Sequence, residues 1–461
     1  MPNTNPGRRW LCILVALAAI LALALLLRAP DGRIATATAD SGTKNVILMI
    51  SDGWGYNHVL ATDYYTAGRA GAALYEAFPF TCAMSTYSAN GAGYDPAQVS
   101  ASFTYVISNA TDSAAAATAL STGFKTRNGC LGVDESGERL VHVMEQAEAT
   151  GRATGVLTSV PLSHATPAGF IAHVSARGEY AEIAQQMLTQ SAAEVIMGAG
   201  HPWFNDDGNR VDKPNYDYVG GEALWQDISD DDGLLGADAD GDGRPDPWAL
   251  VQTCDQFRAL MLGDTPGRVV GIVQVATTLQ QKRSGADALP GSVARNANIP
   301  PLAEMTRAAL NVLDEDPDGF VLMIEGGAVD WASHANQSGR MIEEMMDFNA
   351  AVEVVCQWVE SNSSWDETLL IVTGDHECGY LTGPDPQDRW TPVQNNGVGA
   401  LPGMKWNSRT HTNSLIPLFA KGAAVHLFQQ YADQSDPLCG PYIDNTEVAK
   451  VIFTVLGKPG P

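Results

Sequence analysis

The chain has 461 residues, of which 45% are apolar and 17% are charged, a composition that excludes a disordered chain and supports a large core. Asp and Glu number 53 against 27 Lys and Arg, which gives a formal net charge of -26. A surface that neutralises nucleic-acid phosphates needs the opposite sign, so this charge argues against nucleic-acid recognition. An anionic substrate would need local positive charge, most simply metal ions.

Residues 1–39 have the features of a targeting segment. Arg8 and Arg9 precede an apolar run over residues 10–27, and small residues of the A-x-A type follow at 35–39. This order predicts a secretory signal peptide, and an uncleaved N-terminal membrane anchor is the alternative. Either interpretation exports the remainder of the chain, so that residues 40–461 function in the periplasm or outside the cell, free or anchored through this segment.

Six cysteines follow the targeting segment, and Cys12 lies within it. The six are Cys82, Cys130, Cys254, Cys356, Cys378 and Cys439. An even set in an exported protein fits up to three disulfides, and buried free thiols are the alternative.

Short apolar runs alternate with helix-like segments along the rest of the chain. The predicted strands are 45–50, 155–158, 195–198, 320–324 and 368–372. The predicted helices are 113–121, 140–149, 180–191, 301–313 and 338–360. This alternation predicts a doubly wound α/β fold, a three-layer sandwich around a mostly parallel sheet with ligands at the carboxyl ends of its strands.

Two regions are predicted to be insertions into a single catalytic domain that covers residues 40–461. Residues 201–250 are rich in Asp, Gly and Trp, and residues 380–410 are rich in Gly, Pro and Asn. We expect both to form long surface loops that shape access to the site.

Acidic residues come just after three of the predicted strands: Asp52, Glu325 and Asp375. A lone carboxylate at such a position can simply cap a turn. Ser113 follows Asp112 at the start of an Ala-rich run, which is an ordinary N-cap signal. The same position would give a nucleophile the free N–H groups and the positive end of a helix.

Histidines accompany these carboxylates. Asp330 and His334 are four residues apart and would share a helix face, while His376 adjoins Asp375 and His411 lies in a polar segment. Singly, each is more often a surface or structural polar group. Together with the other strand-end carboxylates, they suit a two-zinc site that clamps a phosphoryl group.

In order and in spacing, these motifs resemble those of alkaline phosphatases over nearly the whole chain from Asn45 onward. The resemblance implies two zinc ions and one magnesium ion. The implied ligands are Asp330, His334 and His411 for the first zinc, Asp52, Asp375 and His376 for the second, and Asp52, Glu325 and Thr166 for the magnesium. Family members vary at the position of His164, so direct ligation and ligation through water both stay open for that residue.

The resemblance also implies the catalytic groups. Ser113, in the D-S-A-A segment, is similar to the nucleophile that becomes a phosphoserine, and Arg177 to the guanidinium that grips the phosphate oxygens. The implied reaction is hydrolysis of small-molecule phosphate monoesters to an alcohol and inorganic phosphate. Dimers are usual in the family, so a homodimer is expected.

Three alternatives are weaker. A phosphodiesterase or phosphonate hydrolase of the same superfamily would use a similar metal set, but Arg177 and the D-S-A-A segment favour monoesters. A sulfatase would need a C-x-P-x-R or related signature, which the chain lacks. A phosphate-binding or calcium-binding protein without catalysis would be expected to have lost a ligand or the nucleophile, and none of those positions is empty.

A separate acidic motif repeats the D-x-D-x-D-G opening of calcium loops. Its residues are Asp238, Asp240, Asp242 and Asp246, and Ala249 stands where the closing Glu is expected. A calcium site that rigidifies this insertion and a solvated acidic loop both remain open.

Overall fold

An eleven-stranded sheet runs through the centre of the part of the chain that the structure describes. The computed structural model describes residues 42–91, 93–230, 233–239, 241–385 and 389–458, so the predicted targeting segment lies outside the described residues. The strands are β1 (Asn45–Ser51), β2 (Phe80–Ser85), β3 (Ala153–Pro161), β4 (Val195–Ala199), β5 (Ala249–Val251), β6 (Val269–Ile272), β7 (Phe320–Gly326), β8 (Thr368–Thr373), β9 (Glu377–Cys378), β10 (Leu381–Thr382), β11 (Lys405–Trp406), β12 (His411–Thr412), β13 (Ile416–Gly422), β14 (Gln434–Asp436) and β15 (Gly440–Asp444).

The order across the main sheet is β14-β15-β2-β13-β8-β1-β7-β3-β4-β6-β5. From β8 to β5 in this order, the seven strands run parallel to one another. Strand β13 runs antiparallel to both of its neighbours, β8 and β2. Two short antiparallel pairs, β10 with β11 and β9 with β12, form outside this sheet.

The helices are α1 (Tyr56–Ala67), α2 (Pro96–Ala101), α3 (Phe103–Ile107), α4 (Ser113–Thr122), α5 (Val143–Glu148), α6 (Ala165–Ile171), α7 (Tyr180–Thr189), α8 (Glu222–Ser229), α9 (Cys254–Ala259), α10 (Leu302–Leu313), α11 (Ala328–His334), α12 (Ser338–Asn362) and α13 (Thr446–Val455), with 3₁₀ turns at Leu74–Ala77, Asp217–Val219 and Val425–Gln430. Eight of these helices form two packed sets. One set contains α1, α10, α11 and α12, and the other contains α4, α5, α6 and α13. The predicted three-layer α/β fold is therefore confirmed.

The five predicted strands are the five central strands β1, β3, β4, β7 and β8, and all of their residues are buried. Continuous Val, Ile and Leu runs suit such strands because helices cover both faces of the sheet. The five predicted helices also form, within a few residues of the expected bounds. Among the described residues, no helix is both long and apolar enough to cross a bilayer.

The two predicted insertions contain short helices and strands as well as loops. Residues 201–250 include α8, which buries Trp225 and Ile228, and the start of the edge strand β5. Residues 380–410 contribute the β10 and β11 pair. The six cysteines after the targeting segment are free thiols.

Helices α4 and α6 pack unusually closely, and this contact sets the position of the residues at their N-termini. A Cβ atom added at Gly169 of α6 would lie 2.6 Å from the Cβ of Ala117 on α4. Only glycine at this crossing allows so close an approach of the two backbones.

We expect Gly169→Ala to lower the free energy of unfolding by about 1–3 kcal/mol, because the added methyl overpacks the helix crossing. Urea unfolding of the two proteins would measure the difference. Gly267→Ala is the matched control, since a Cβ there meets no atom within 4 Å. Equal stability losses in the two variants would contradict the proposed close packing.

Candidate active site

The carboxyl ends of β1, β7 and β8 meet at one edge of the sheet and carry the predicted acidic residues. Ile50 of β1 is in register with Glu325 of β7 and with Thr373 of β8. Asp52 and Asp375 follow two residues after these register positions, and both are fully buried. The parallel register therefore brings three carboxylates together from segments that are far apart in sequence.

The turn after β1 depends on a glycine. Gly53 has φ of +75°, and its backbone N–H donates to Oδ1 of Asp375 over 3.1 Å. A Cβ at this position would lie 2.7 Å from the Cα of Asp330. Gly53 thus allows the turn and the close approach that brings Asp52, Asp330 and Asp375 into one site.

One group of donor atoms lies beside the predicted nucleophile, and we call it the serine group: Asp52, Asp375 and His376. One donor atom from each residue lies within 4.8 Å of the other two. Ser113 Oγ lies 3.3 Å from His376 Nε2 and 3.5 Å from Asp52 Oδ2. The predicted second zinc set and the serine hydroxyl are therefore neighbours.

A second group, the histidine group, contains Asp330, His334 and His411, and also the thiol of Cys378. His334 Nδ1 lies 2.6 Å from the backbone O of Arg409 and His411 Nδ1 lies 2.8 Å from that of Thr111, so each Nδ1–H donates to a carbonyl. Nε2 of His411 then carries a lone pair. Burial lowers the pKa of His334, but the hydrogen bond with Asp330 and the charge of that carboxylate together outweigh burial and raise the pKa to about 9, so Nε2 of His334 holds a proton that a bound cation would displace. The two Nε2 atoms lie 3.0 Å apart. Backbone acceptors commonly orient metal-binding imidazoles in this way.

The third group, the glutamate group, consists of Asp52, His164 and Glu325. Thr158 on the neighbouring strand β3 is in register with Glu325, and its hydroxyl donates to Glu325 Oε2. Oε1 of Glu325 and the hydroxyl of Thr166 are buried and neither makes a hydrogen bond of normal geometry among the described residues, although Thr166 lies close enough to lower the pKa of Glu325. Unpaired oxygens of this kind suit a hard cation such as magnesium.

The electrostatics of the site call for cations. Burial and neighbouring carboxylates raise the pKa of Asp52 well above its usual value. Burial lowers the pKa of His376 and of His411 to about 4, so both imidazoles are neutral at pH 7, the form that binds metal. Oδ1 of Asp52, Oδ1 of Asp330 and Oδ2 of Asp375 are buried and accept no hydrogen bond within the described part of the chain. These neighbouring carboxylate oxygens repel one another, and bound metal ions would relieve that repulsion.

Asp112 positions both predicted catalytic groups. It is the N-cap of α4, where its Oδ1 accepts from Ala115 N over 3.0 Å, and Ser113 is the first residue of that helix. Oδ2 of Asp112 accepts from Arg177 Nη1 over 3.1 Å and from Gly129 N over 3.0 Å. One carboxylate therefore fixes the start of the helix and the guanidinium together.

A cavity of about 480 Å³ opens over these groups. Its lining includes Ser113, Arg177, His164 and Trp331, together with Asp330, His334 and His411 of the histidine group. Lys282 also lines it, with Nζ 4.6 Å from the centroid of the Trp331 ring. Because an ammonium group over an indole face is attracted to it, the lysine is held at the rim of the cavity.

The structure thus brings together all eleven residues predicted for the metal and catalytic site. Sequence reasoning missed Thr158, Cys378, Lys282 and the double role of Asp112. Cys378 directly follows the D-H-E segment at residues 375–377, and this position could have marked it as a site residue. The positions of Thr158 and Lys282 depend on strand register and on chain folding, which no local sequence pattern reveals.

The predicted calcium loop is separate from this site. Asp238 accepts hydrogen bonds from the backbone of Gly241 and Gly243, and Asp246 accepts one from Ala239. Asp240 lies outside the described residues. The calcium site stays a prediction from the sequence.

Buried carboxylates and neutral imidazoles around a serine, at the carboxyl edge of a mostly parallel sheet, define an α/β metallohydrolase of the phosphoryl-transfer class. The sequence profile of the family described as "Alkaline phosphatase" matches residues 43–241 and 284–398. The chain belongs to the alkaline phosphatase family and is a phosphoric monoester hydrolase.

Individual relatives agree with this assignment. Alkaline phosphatase H of Pseudomonas aeruginosa is 30% identical over 72% of this chain and 69% of its own, and the Escherichia coli alkaline phosphatase is 28% identical over 86% and 85%. The crystal structure of the cold-active enzyme from Shewanella sp. is 25% identical, with a TM-score of 0.64 over 89% of this chain and 99% of its own. A variant of the Antarctic bacterium TAB5 enzyme, solved with magnesium bound, is 24% identical with a TM-score of 0.61 over 90% and 99%. The family assignment and the donor groups together indicate metal dependence.

Metal removal should make stability depend on pH. Without ions, burial raises the pKa of Glu325 to about 7 and, together with Asp330, raises the pKa of Asp375 to about 6. The folded protein then keeps protons that the unfolded chain releases near pH 4, so the free energy of unfolding should fall as pH rises from about 4 to about 7.

Urea unfolding of chelator-stripped and metal-refilled protein at pH 5 and pH 8 measures this effect. Refilled protein should lack the fall because bound cations favour the ionised carboxylates. In stripped Glu325→Gln, the free energy of unfolding should fall less between pH 5 and pH 8 than in stripped wild type. Stripped Glu360→Gln, changed at an exposed helix position, should show the same fall as wild type. Stripped wild type that is equally stable at both pH values would contradict the assignment.

Proposed function

We propose that the protein hydrolyses phosphate monoesters through a phosphoserine on Ser113, with two zinc ions and one magnesium ion. The observation that carries this proposal is the position of Ser113 Oγ, 3.3 Å from His376 Nε2 at the start of α4 and facing the cavity that Arg177 lines. The helix N-terminus and the neighbouring metal donors favour the ionised hydroxyl and a bound phosphate.

The donor groups suggest one ion each. The histidine group would hold the first zinc, the serine group the second, and the glutamate group with Thr166 the magnesium. When bound, these ions would supply the positive charge that lowers the pKa of the Ser113 hydroxyl and stabilises the leaving oxygen. His164 has a ring nitrogen in the glutamate group, which favours direct ligation over ligation through water.

The residues of the chain perform the remaining steps. Arg177 binds two non-bridging oxygens and holds phosphorus in line with Ser113 Oγ. Ser113 releases its hydroxyl proton to water. As the bond between Oγ and phosphorus forms, the bond to the alcohol oxygen breaks, and the leaving alkoxide takes a proton from water. A water molecule then attacks phosphorus from the side that the alcohol left, which releases phosphate and restores the Ser113 hydroxyl.

Replacing the nucleophile tests the proposal. We expect Ser113→Ala to lower kcat for a chromogenic monoester at alkaline pH by at least about 1,000-fold, because the covalent route is lost. Intact mass spectrometry after an acid quench should show a phosphate adduct on wild type and none on the variant.

Ser136→Ala, in an exposed turn, is the control and should behave as wild type. A metal-loaded Ser113→Ala protein that retains the adduct or most of its activity would refute the phosphoserine. Wild type that cleaves diesters or phosphonates but not monoesters would refute the proposed substrate class.

Lys282 supplies the cation at the entrance of the cavity. Arg177 is already paired with Asp112, so the positive charge that it offers to a phosphate is partly neutralised. Lys282 has an exposed position beside Trp331 and lines the same cavity. We therefore assign it to capture of the phosphate dianion before the phosphate reaches Arg177.

Lys282→Gln should raise KM for a monoester about 5- to 10-fold with a small change in kcat, which corresponds to ~1 kcal/mol from an exposed charge. Steady-state kinetics at low and at high salt would test this, and salt should weaken the effect because it screens the charge. Lys213→Gln, at an exposed position outside the cavity, is the control. A loss confined to kcat would contradict a capture role.

We also propose that the protein is exported, because of the features of its N-terminal segment, and that it forms a homodimer, because dimers are usual in the family.

A further inference from the structure

A second cluster of metal-binding side chains lies outside the catalytic site and shares no residue with it. His142 is the N-cap of α5, Glu145 lies in the first turn of that helix, and His173 follows α6. One donor atom from each of the three lies within 4.8 Å of the others, beside a cavity of about 70 Å³.

Hydrogen bonds fix the orientation of one imidazole. His173 Nδ1 lies 2.7 Å from the backbone O of Gly132, so Nδ1 carries the proton. Nε2 of His173 faces Glu145 Oε1 over 3.3 Å, so this nitrogen and this carboxylate oxygen can share either a proton or a cation. This is the second-shell arrangement that orients a metal-binding histidine.

His142 is the unexplained member. Its side chain is fully buried, and neither ring nitrogen makes a hydrogen bond of normal geometry within the described part of the chain, although the backbone of Ala172 lies close enough to act on the pKa of the ring. Its Nδ1 lies 3.6 Å from Glu145 Oε2. A buried polar group that lacks a partner costs roughly 1–3 kcal/mol, so a ligand for this nitrogen would stabilise the fold.

The protonation states suit a cation. Burial, reinforced by His173, lowers the pKa of His142 to about 3, which leaves a neutral imidazole. Burial alone would raise the pKa of Glu145, but the hydrogen bond with His173 and the proximity of His142 lower it to about 2, so the carboxylate is ionised. The cluster therefore offers a neutral imidazole from His142 and an anionic carboxylate from Glu145, with Nε2 of His173 beside that carboxylate.

A purely structural role accounts for only part of this arrangement. The two rings stack with centroids 4.1 Å apart, and the exposed Arg139 pairs with Glu145 Oε1 over 3.0 Å. Neither contact satisfies Nδ1 of His142. Nδ1 of His142 is therefore the nitrogen that an ion shared with the other two side chains would satisfy.

We propose that His142, Glu145 and His173 bind a divalent transition-metal ion such as zinc, with water in the remaining position. Two imidazoles and one carboxylate suit zinc better than magnesium or calcium, which prefer all-oxygen sets. The ion would join the start of α5 to the segment that leads to Arg177. That segment already pairs with the 129–131 stretch, where Arg177 N donates to Gly129 O over 2.8 Å and Leu131 bridges Val174.

Metal counting tests the proposal. Wild type, Glu145→Gln and His173→Gln would be stripped, refilled with zinc and magnesium, desalted, and analysed by inductively coupled plasma mass spectrometry. Each variant should contain one zinc per chain fewer than wild type and keep its monoesterase activity within a few-fold. His426→Gln, at an exposed position, should match wild type.

Cobalt provides a second readout, since it replaces zinc and absorbs visible light when nitrogen ligands bind it. Glu145→Gln keeps the shape of the side chain, so this variant serves as the folded test if His173→Gln does not fold. Zinc content and cobalt absorption equal to wild type in Glu145→Gln would overturn the site. Ser113→Ala should leave the zinc count unchanged, so failure of the phosphoserine proposal and failure of this one are distinguishable.

Discussion

The burial of four carboxylates at one edge of the sheet is the constraint on which the rest of the structure depends. Asp52, Glu325, Asp330 and Asp375 are all buried, and each lies within reach of the others' charge. The two lysine or arginine side chains that line the cavity, Arg177 and Lys282, cannot balance four negative charges, and Arg177 is committed to Asp112. Removing charges from water without compensation costs several kcal/mol each, so without cations Asp52, Glu325 and Asp375 hold protons to higher pH, whereas bound cations would favour their ionised forms.

This constraint explains the rigidity of the surroundings. A cation site needs its ligands in place before the ion binds, because reorganising buried groups would weaken binding. Parallel register positions Glu325, the Gly53 turn positions Asp52, and backbone carbonyls orient His334 and His411. The close crossing of α4 and α6 links the start of one helix, which bears Ser113, to the start of the other, which bears Thr166.

Sequence patterns predicted the parts of the fold that have one strong local signal. Continuous apolar runs gave the five central strands, because both faces of those strands are buried. Strands β2 and β13–β15 were missed because they are partly exposed and mix polar with apolar residues. Thr158 and Lys282 were missed because their role comes from neighbours distant in sequence: strand register for one, and the face of Trp331 for the other.

The same electrostatics explain how an acidic protein can attract an anion. At physiological ionic strength, charges more than about 8 Å from a substrate are largely screened, so the net charge of -26 acts mainly on extended polyanions that contact much of the surface. In the proposed mechanism a small monoester enters a cavity of about 480 Å³, where Lys282, Arg177 and the cations would supply the local positive charge. Positive charge confined to the cavity can therefore attract a single phosphoryl group, while the net negative charge of the chain disfavours long nucleic-acid backbones.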